Sequence, residues 1–132
     1  MSMTILLVDD DAAFRESVRQ MLVFAEYEVL EAEDGIKALE LLKSEVVDIL
    51  LTDILMPDME GVELRSKALK LKPELKVIGM TGGGLMSAES VTGMAERFFH
   101  VFLRKPFDCR ELLDGITTVE NWVGPEPVVS KQ

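Results

Sequence analysis

The 132-residue chain has little of what disulfide-stabilised, membrane-spanning or nucleic-acid-binding proteins need. Its one cysteine, Cys109, excludes an internal disulfide and indicates no cysteine-based metal cluster. No apolar run approaches the ~18 residues of a membrane span, and no signal-like leader precedes the first strand pattern, so we expect a cytoplasmic location and no membrane partner. Lys and Arg number 14 against 24 Asp and Glu, and the net charge of −10 argues against direct nucleic-acid binding.

What the chain does have is the composition of one globular domain, with 48% hydrophobic and 29% charged residues. This length leaves no room for a second folded domain. We therefore expect one domain over residues 1–123. Residues 124–132, G-P-E-P-V-V-S-K-Q, are predicted to be a flexible C-terminal tail or linker.

Five short apolar runs alternate with helical patterns along the domain. The strands are predicted at residues 5–8, 28–32, 49–52, 77–80 and 101–103. Helix starts are predicted at Asp11, Asp34-Gly35, Gly61, Ser87 and the capping-box pair Asp108 and Glu111. Right-handed crossovers then place helices on both faces of a parallel sheet, so the sequence predicts an α/β fold whose strand ends open on one edge.

Helical spacing also predicts which side chains point inward. The inward faces are Leu64, Ala68 and Leu71 in the third helix, and Leu112, Ile116, Val119 and Val123 in the last. Trp122 is expected to cover the end of the last helix rather than to bind a cofactor.

Before the fifth strand stands Arg97-Phe98-Phe99-His100. We expect Phe98 in the core, and Phe99 and His100 on the surface. His100 is the only histidine and has no second ligand type nearby, which favours a surface or loop role over a phosphodonor or metal ligand.

Polar residues follow four of the predicted strands. Asp9 and Asp10 leave the first strand, Asp53 the third, Thr81 the fourth and Lys105 the fifth, so one edge collects them all. Two carboxylates about 4 Å apart repel by roughly 4 kcal/mol at an effective dielectric near 20, and a magnesium ion suits such oxygen ligands. With the Lys105 ammonium and the Thr81 hydroxyl opposite the acids, these residues are suited to phosphoryl transfer onto a carboxylate. Taken alone, Asp53 is equally compatible with a turn or cap role.

Four motifs carry a family resemblance: L-L-V-D-D-D at 6–11, L-T-D-I-L-M-P-D-M-E-G at 51–61, M-T-G-G at 80–83 and L-R-K-P-F at 103–107. Over residues 4–123 the chain resembles the receiver domain of bacterial two-component response regulators. The resemblance implies a CheY-like, flavodoxin-like (βα)5 fold with strand order 2-1-3-4-5. It makes 1–123 the receiver, either a single-domain regulator or part of a longer chain.

The resemblance also implies a role for each acidic residue. Asp53 would be the phosphoacceptor, and Mg²⁺ or Mn²⁺ would be held by Asp53, by Asp10 directly, by Asp9 through water and by the backbone carbonyl of Leu55. Leu55 is apolar where many members carry a polar residue that orients an attacking water, so we predict slow self-dephosphorylation.

Three further positions complete the implied switch. Thr81 and Lys105 would contact the phosphoryl oxygens, Phe102 would be the switch aromatic, and the Lys105-Pro106 bond would be cis. Gly82 and Gly83 leave the site open beside Thr81. The phosphodonor would be a phosphohistidine on a sensor kinase or phosphotransfer protein, and the fourth helix, fifth strand and last helix would signal to a downstream protein that the sequence does not identify. Such a regulator is not an enzyme in the ordinary sense, and its oligomeric state stays open.

Two other readings compete. Asp9-x-Asp11 after a strand imitates the nucleophile motif of haloacid dehalogenase-type phosphohydrolases, but Ala13 stands where that motif has Thr or Val, and no cap domain is present. Alternatively, the chain is an interaction module of the same fold that works without phosphorylation. The triple glycine at 82–84 lacks the G-x-G-x-x-G and G-K-[ST] patterns of nucleotide loops.

Overall fold

The computed structural model describes residues 3–56, 59–82, 98–124 and 126. Within these residues the strands are β1 (Thr4–Val8), β2 (Glu28–Ala32), β3 (Ile49–Asp53), β4 (Lys76–Thr81) and β5 (Val101–Arg104), and the helices are α1 (Ala12–Phe24), α2 (Gly35–Ser44), α3 (Gly61–Leu71) and α4 (Cys109–Glu120). The strands form one parallel sheet in the order β2-β1-β3-β4-β5, which confirms the predicted fold class. The helix predicted from Ser87 lies outside the described residues.

Both faces of the sheet are apolar, because successive side chains of a strand point to opposite sides. On one face Leu6 and Leu50 pack with residues of α2 and α3. On the other face Ile5 and Leu51 pack with residues of α1 and α4. Every residue of the central strand β3 is buried, so the last one, Asp53, is held by a rigid element.

Three of the four described helices begin at predicted caps, and α3 begins at the predicted Gly61 without a side-chain cap. Asp11 and Asp34 each accept a hydrogen bond from the backbone N–H three residues later, at 3.1 and 2.8 Å. Asp108 and Glu111 form the reciprocal capping box at the start of α4. Such caps contribute about 1 kcal/mol each and fix where a helix leaves the sheet edge. Among the described residues, no helix is long and apolar enough to cross a membrane.

Two inward-facing predictions are wrong. Leu71 is 43% exposed, because it is the last residue of α3 and no further turn stands beyond it to shield it. Val123 is 97% exposed, because α4 ends at Glu120 and the helical spacing no longer applies. The other predicted positions on these two helices, Leu64, Ala68, Leu112, Ile116 and Val119, are buried.

The surface positions predicted for Phe99 and His100 are also wrong, since both side chains are buried. Phe99 fills space that Gly79 leaves free: a Cβ added at Gly79 would lie 3.1 Å from the Phe99 ring. Phe98, predicted to be core, is half-buried and packs against the cluster on the α2 and α3 face.

His100 extends the pairing of β4 with β5 through its side chain. Its backbone N–H donates to the carbonyl of Val77 at 3.0 Å, and its Nδ1 accepts from the Val77 N–H at 3.1 Å. The proton of the neutral ring is therefore on Nε2, which donates to Glu126 at 2.8 Å. Glu126 also pairs with Lys76 at 3.4 Å, and Trp122, just beyond α4, packs edge-on against the imidazole at 5.1 Å.

Candidate functional site

Three acidic side chains meet at the carboxyl edge of the sheet. β1 and β3 are neighbours with Val8 opposite Thr52, so the residues that follow, Asp9 and Asp53, come side by side. Asp10 is the next residue along the first of these segments. One carboxylate oxygen from each of the three acids lies within 4.8 Å of the others.

The two buried acids of this cluster are held in place by backbone and by Lys105. Asp9 is fully buried; its Oδ1 accepts from the Asp11 N–H at 2.9 Å and its Oδ2 pairs with Lys105 Nζ at 2.8 Å. Asp53 is 7% exposed; its Oδ1 accepts from the Leu55 N–H at 3.3 Å and its Oδ2 lies 3.4 Å from the same ammonium. Asp10 is exposed, so the cluster is open to solvent on that side.

Lys105 reaches the acids from just beyond β5. Its backbone N–H donates to the carbonyl of Thr81 at 2.7 Å, and the Lys105–Pro106 peptide bond is cis. The ammonium also lies over the face of Phe14, with Nζ 4.3 Å from the ring centroid. Phe107 packs edge-on against Phe14, with ring centroids 5.6 Å apart. The amine is thus bounded by carboxylates on one side and an aromatic face on another.

Burial changes the chemistry of Asp53, and the charged neighbours modify that effect. Burial raises the pKa of Asp53 to about 6, the nearby Lys105 ammonium opposes that rise, and the Asp9 carboxylate adds to it. At pH 7 the carboxylate is still mostly ionised, and so retains a lone pair for nucleophilic attack. The ionised form is costly, however, so a further positive charge at this edge stabilises it.

Thr81 and Phe102 lie on the two strands beyond β3. Thr81 ends β4 and is 2% exposed, and its hydroxyl donates to the carbonyl of Gly82 at 3.2 Å. Phe102 is half-buried in β5, opposite Gly79 of β4. The structure therefore brings Lys105 into contact with Asp9 and Asp53, with Asp10 within 4.8 Å of both acids, and places Thr81 and Phe102 on β4 and β5.

Gly82 follows Thr81 at the end of β4. Among the described residues, no atom lies within 4 Å of a Cβ added at Gly82, and Gly83 lies outside those residues. Leu55, two residues beyond Asp53, is 38% exposed.

The donor set suits a hard divalent cation. Mg²⁺ prefers oxygen ligands at 2.0–2.1 Å in octahedral geometry, which puts ligand oxygens about 3–4 Å apart. The carboxylate oxygens here lie within 4.8 Å of one another, so small side-chain rotations bring them to that spacing. Lys105 brings a single positive charge against three carboxylates, so a divalent cation would correct the charge balance of the site.

Some residues that shape the site were not predicted from sequence. Arg15 donates to the carbonyl of Asp9 at 2.7 Å, and the ring of Phe14 contacts the Lys105 ammonium. Gly61 was predicted only as the start of the third helix, but a Cβ there would lie 2.6 Å from the carbonyl oxygen of Asp53. Only glycine lets α3 start this close to the end of β3. In the sequence, the motif at residues 51–61, which contains Gly61, was the one feature that indicated a constraint at this position.

Comparisons with known proteins agree on one family. The profile of the response regulator receiver domain matches residues 5–117. The chain is 36% identical over 126 residues to the response regulator MprA of Mycobacterium bovis, covering 96% of this chain and 54% of that protein. It is 39% identical over 113 residues to MprA of Mycobacterium ulcerans, covering 86% and 48%. The chain thus spans about half the length of the curated relatives it matches.

Solved structures give the same result. A CheY-like receiver domain protein from Methanospirillum hungatei superposes with a TM-score of 0.80 at 36% identity, covering 92% of this chain and 96% of that one. The receiver domain of AraT, a response regulator from Geobacillus stearothermophilus, gives 0.78 at 34% identity, covering 92% and 95%.

Proposed function

The chain belongs to the family of response regulator receiver domains, and on that basis we propose that it accepts a phosphoryl group on Asp53. Receiver domains of two-component systems are signalling proteins rather than classical enzymes. The observation that carries the proposal is the position of Asp53: it ends a buried strand, within 4.8 Å of two other acids and 3.4 Å from a lysine ammonium. A carboxylate and a positive charge are what an acceptor and its phosphoryl oxygens require.

The proposed metal is Mg²⁺ or Mn²⁺, as in receiver domains generally, which bind Mg²⁺ at an acidic pocket. Asp10 would bind it directly, Asp9 through water, and Asp53 and the backbone carbonyl of Leu55 would complete the protein's ligands. Bound there, the cation would screen the acids and offset the negative charge of the phosphoryl oxygens.

The reaction that we propose is transfer from a phosphohistidine. An oxygen of the Asp53 carboxylate attacks phosphorus, the phosphorus–nitrogen bond breaks, and its electron pair stays on the departing imidazole. Lys105 leaves its contact with the Asp53 carboxylate to bind a phosphoryl oxygen, and the Thr81 hydroxyl contacts another. The product is an acyl phosphate, whose hydrolysis returns the protein to its starting state.

The expected response to phosphorylation depends on the hydrogen bond that the Thr81 hydroxyl makes in the unphosphorylated protein. That hydroxyl donates to Gly82, and a phosphoryl oxygen is a stronger, charged acceptor. We expect Thr81 to turn toward the acyl phosphate and Phe102 to follow. These movements would change the surface formed by the helix predicted from Ser87, by β5 and by the last helix, α4. The phosphodonor is a sensor histidine kinase or histidine phosphotransfer protein, and the output is a contact with a downstream protein.

The proposed boundaries are a receiver over 1–123 and a linker or tail over 124–132, in a cytoplasmic protein. The two MprA relatives are about twice as long as this chain. Any activity or partner that belongs to a whole protein of that length is therefore part of the proposal. Direct contact with nucleic acid is not expected of this acidic domain.

Intact-mass analysis tests the proposal. The protein is incubated with acetyl phosphate, with and without Mg²⁺, as wild type and as Asp53→Ala. We expect one magnesium-dependent phosphoryl group on the wild type and none on the variant. No adduct on a folded wild-type protein would instead support the phosphorylation-independent module.

The phosphohydrolase reading is not favoured by the family match. It requires Asp9 as the nucleophile. Turnover of a phosphate ester that needs Asp9 but not Asp53 would revive it.

A further inference from the structure

The Lys105 ammonium has three attractive partners in the described part of the chain, and they differ in kind. Two are carboxylates, Asp9 at 2.8 Å and Asp53 at 3.4 Å. The third is the face of the Phe14 ring, 4.3 Å from Nζ to the centroid, well inside the ~6 Å reach of a cation–π contact. The Lys105 side chain is 18% exposed, so little water competes with that contact.

The ring is fixed in this position by its neighbours. Phe14 lies in the first turn of α1, and its backbone N–H donates to the cap residue Asp11, which in turn donates its own N–H to Asp9. Phe107, which is buried, packs edge-on against the ring at an interplanar angle of 84°. Phe14 is thus connected by short local contacts to an acid of the site and to the segment that carries Lys105.

The three partners respond differently to a divalent cation at the acids. A divalent cation held by the acids would weaken the attraction of Asp9 and Asp53 for the ammonium and would repel the ammonium directly. The ring face offers a cation no oxygen ligand, so its attraction for the ammonium would remain. The aromatic contact becomes the main restraint on Lys105 at the moment when a phosphoryl group is to be bound.

We infer that Phe14 is a positioning residue, which holds the Lys105 ammonium at the phosphoryl site once a divalent cation engages the acids. The inference rests on the proposed function for its kinetic consequence, but its structural part does not. The aromatic ring, rather than apolar bulk alone, is the property that matters. Leucine at position 14 preserves the bulk and removes the ring face, whereas tyrosine keeps it.

The structural part is tested by NMR on protein with ¹³C-labelled lysine, in saturating Mg²⁺. A nearby ring face shifts the resonances of the lysine ε-CH₂ protons upfield. The Lys105 resonance is identified as the one that disappears in Lys105→Arg. We expect the displacement in the wild type and in Phe14→Tyr, with and without Mg²⁺, and its loss in Phe14→Leu. If the chemical shift of the wild-type Lys105 resonance moves to that of exposed lysines when Mg²⁺ is added, the inference is overturned.

The kinetic part is tested by the rate of phosphorylation at saturating acetyl phosphate and Mg²⁺, followed by intact mass. Phe14→Leu should lower the rate constant about fivefold, Phe14→Tyr should retain it, and Mg²⁺ affinity should not weaken in either. In a Lys105→Ala background, Phe14→Leu should have no further effect. Equal losses in both backgrounds would mean that Phe14 only packs, and would overturn the inference.

The two hypotheses fail in different ways. If the folded wild type takes no phosphoryl group, the proposed function fails, and the NMR experiment alone decides whether Phe14 holds Lys105. If Asp53 is phosphorylated and Phe14→Leu matches the wild type in rate and lysine signal, only the role of Phe14 fails. Circular dichroism melts of each variant separate these outcomes from loss of the fold.

Discussion

Replacing Asp53 by Asn should stabilise the metal-free protein at neutral pH, although it removes the proposed acceptor. Burial raises the pKa of Asp53 to about 6, so the folded protein holds an unfavourable charge there at pH 7. The difference from the ordinary value of 3.8 corresponds to about 3 kcal/mol. Asn has the same shape and can still accept from the Leu55 N–H, but its carbonyl binds the Lys105 ammonium less strongly than a carboxylate does. Because solvent also screens part of the penalty, we expect a gain of about 1–2 kcal/mol.

The gain should depend on pH in a defined direction. The folded-state pKa of Asp53 lies above the unfolded one, so the folded state binds the proton more tightly. The stability that this group contributes is fully present below about pH 4 and is lost as pH rises through about 6. The advantage of Asp53→Asn over the wild type should therefore be largest above pH 7, fall to about a third of that value at pH 4.5, and approach zero below about pH 4.

Urea denaturation in EDTA at pH 7.5 and pH 4.5 measures both effects. Asp114→Asn is the matched control, since it removes the same charge from an exposed position on α4 and should change stability by less than about 0.5 kcal/mol. An Asp53→Asn variant no more stable than wild type at pH 7.5, or a gain equal at both pH values, would show that ionised Asp53 carries no burial penalty in the folded protein.

Three further predictions follow from single residues. Gly61→Ala should destabilise the protein by about 2 kcal/mol or more in urea denaturation, because its Cβ would lie 2.6 Å from the Asp53 carbonyl oxygen; an unchanged midpoint would contradict this. Burial lowers the pKa of His100, so the wild type should lose stability as pH falls from 7 to 5. The comparison is with His100→Asn, which keeps an acceptor for the Val77 N–H but does not titrate in this range. Parallel curves of stability against pH for the two proteins would contradict this prediction. Leu55→Asn should speed loss of the phosphoryl group severalfold, because a polar side chain at this 38% exposed position can orient water; a time course no faster than wild type would sink the idea.

Local signals predicted most of the fold. Asp108 and Glu111 indicate the start of α4 within four residues, and the apolar run of β3 is three residues long, from Ile49 to Leu51. Such patterns depend on neighbours in sequence, so the strands and caps could be found without coordinates. The strand order came from the family resemblance rather than from periodicity.

The missed features depend on residues that are distant in sequence. His100 is buried because its ring accepts from Val77, 23 positions earlier, and no local pattern around a single histidine indicates such a partner. Nothing in the sequence around Phe14 indicated that its ring face meets the ammonium of Lys105, 91 positions later. The burial of Phe99 likewise depended on the space above Gly79 on another strand.

The most direct test of the account is to locate the phosphoryl group. After incubation with acetyl phosphate and Mg²⁺, borohydride reduction converts an aspartyl phosphate into homoserine, which peptide mass spectrometry places at one residue. The account predicts homoserine at position 53 alone, and none when Mg²⁺ is replaced by EDTA. Homoserine at position 9 or 10, with Asp53 unmodified, would contradict it.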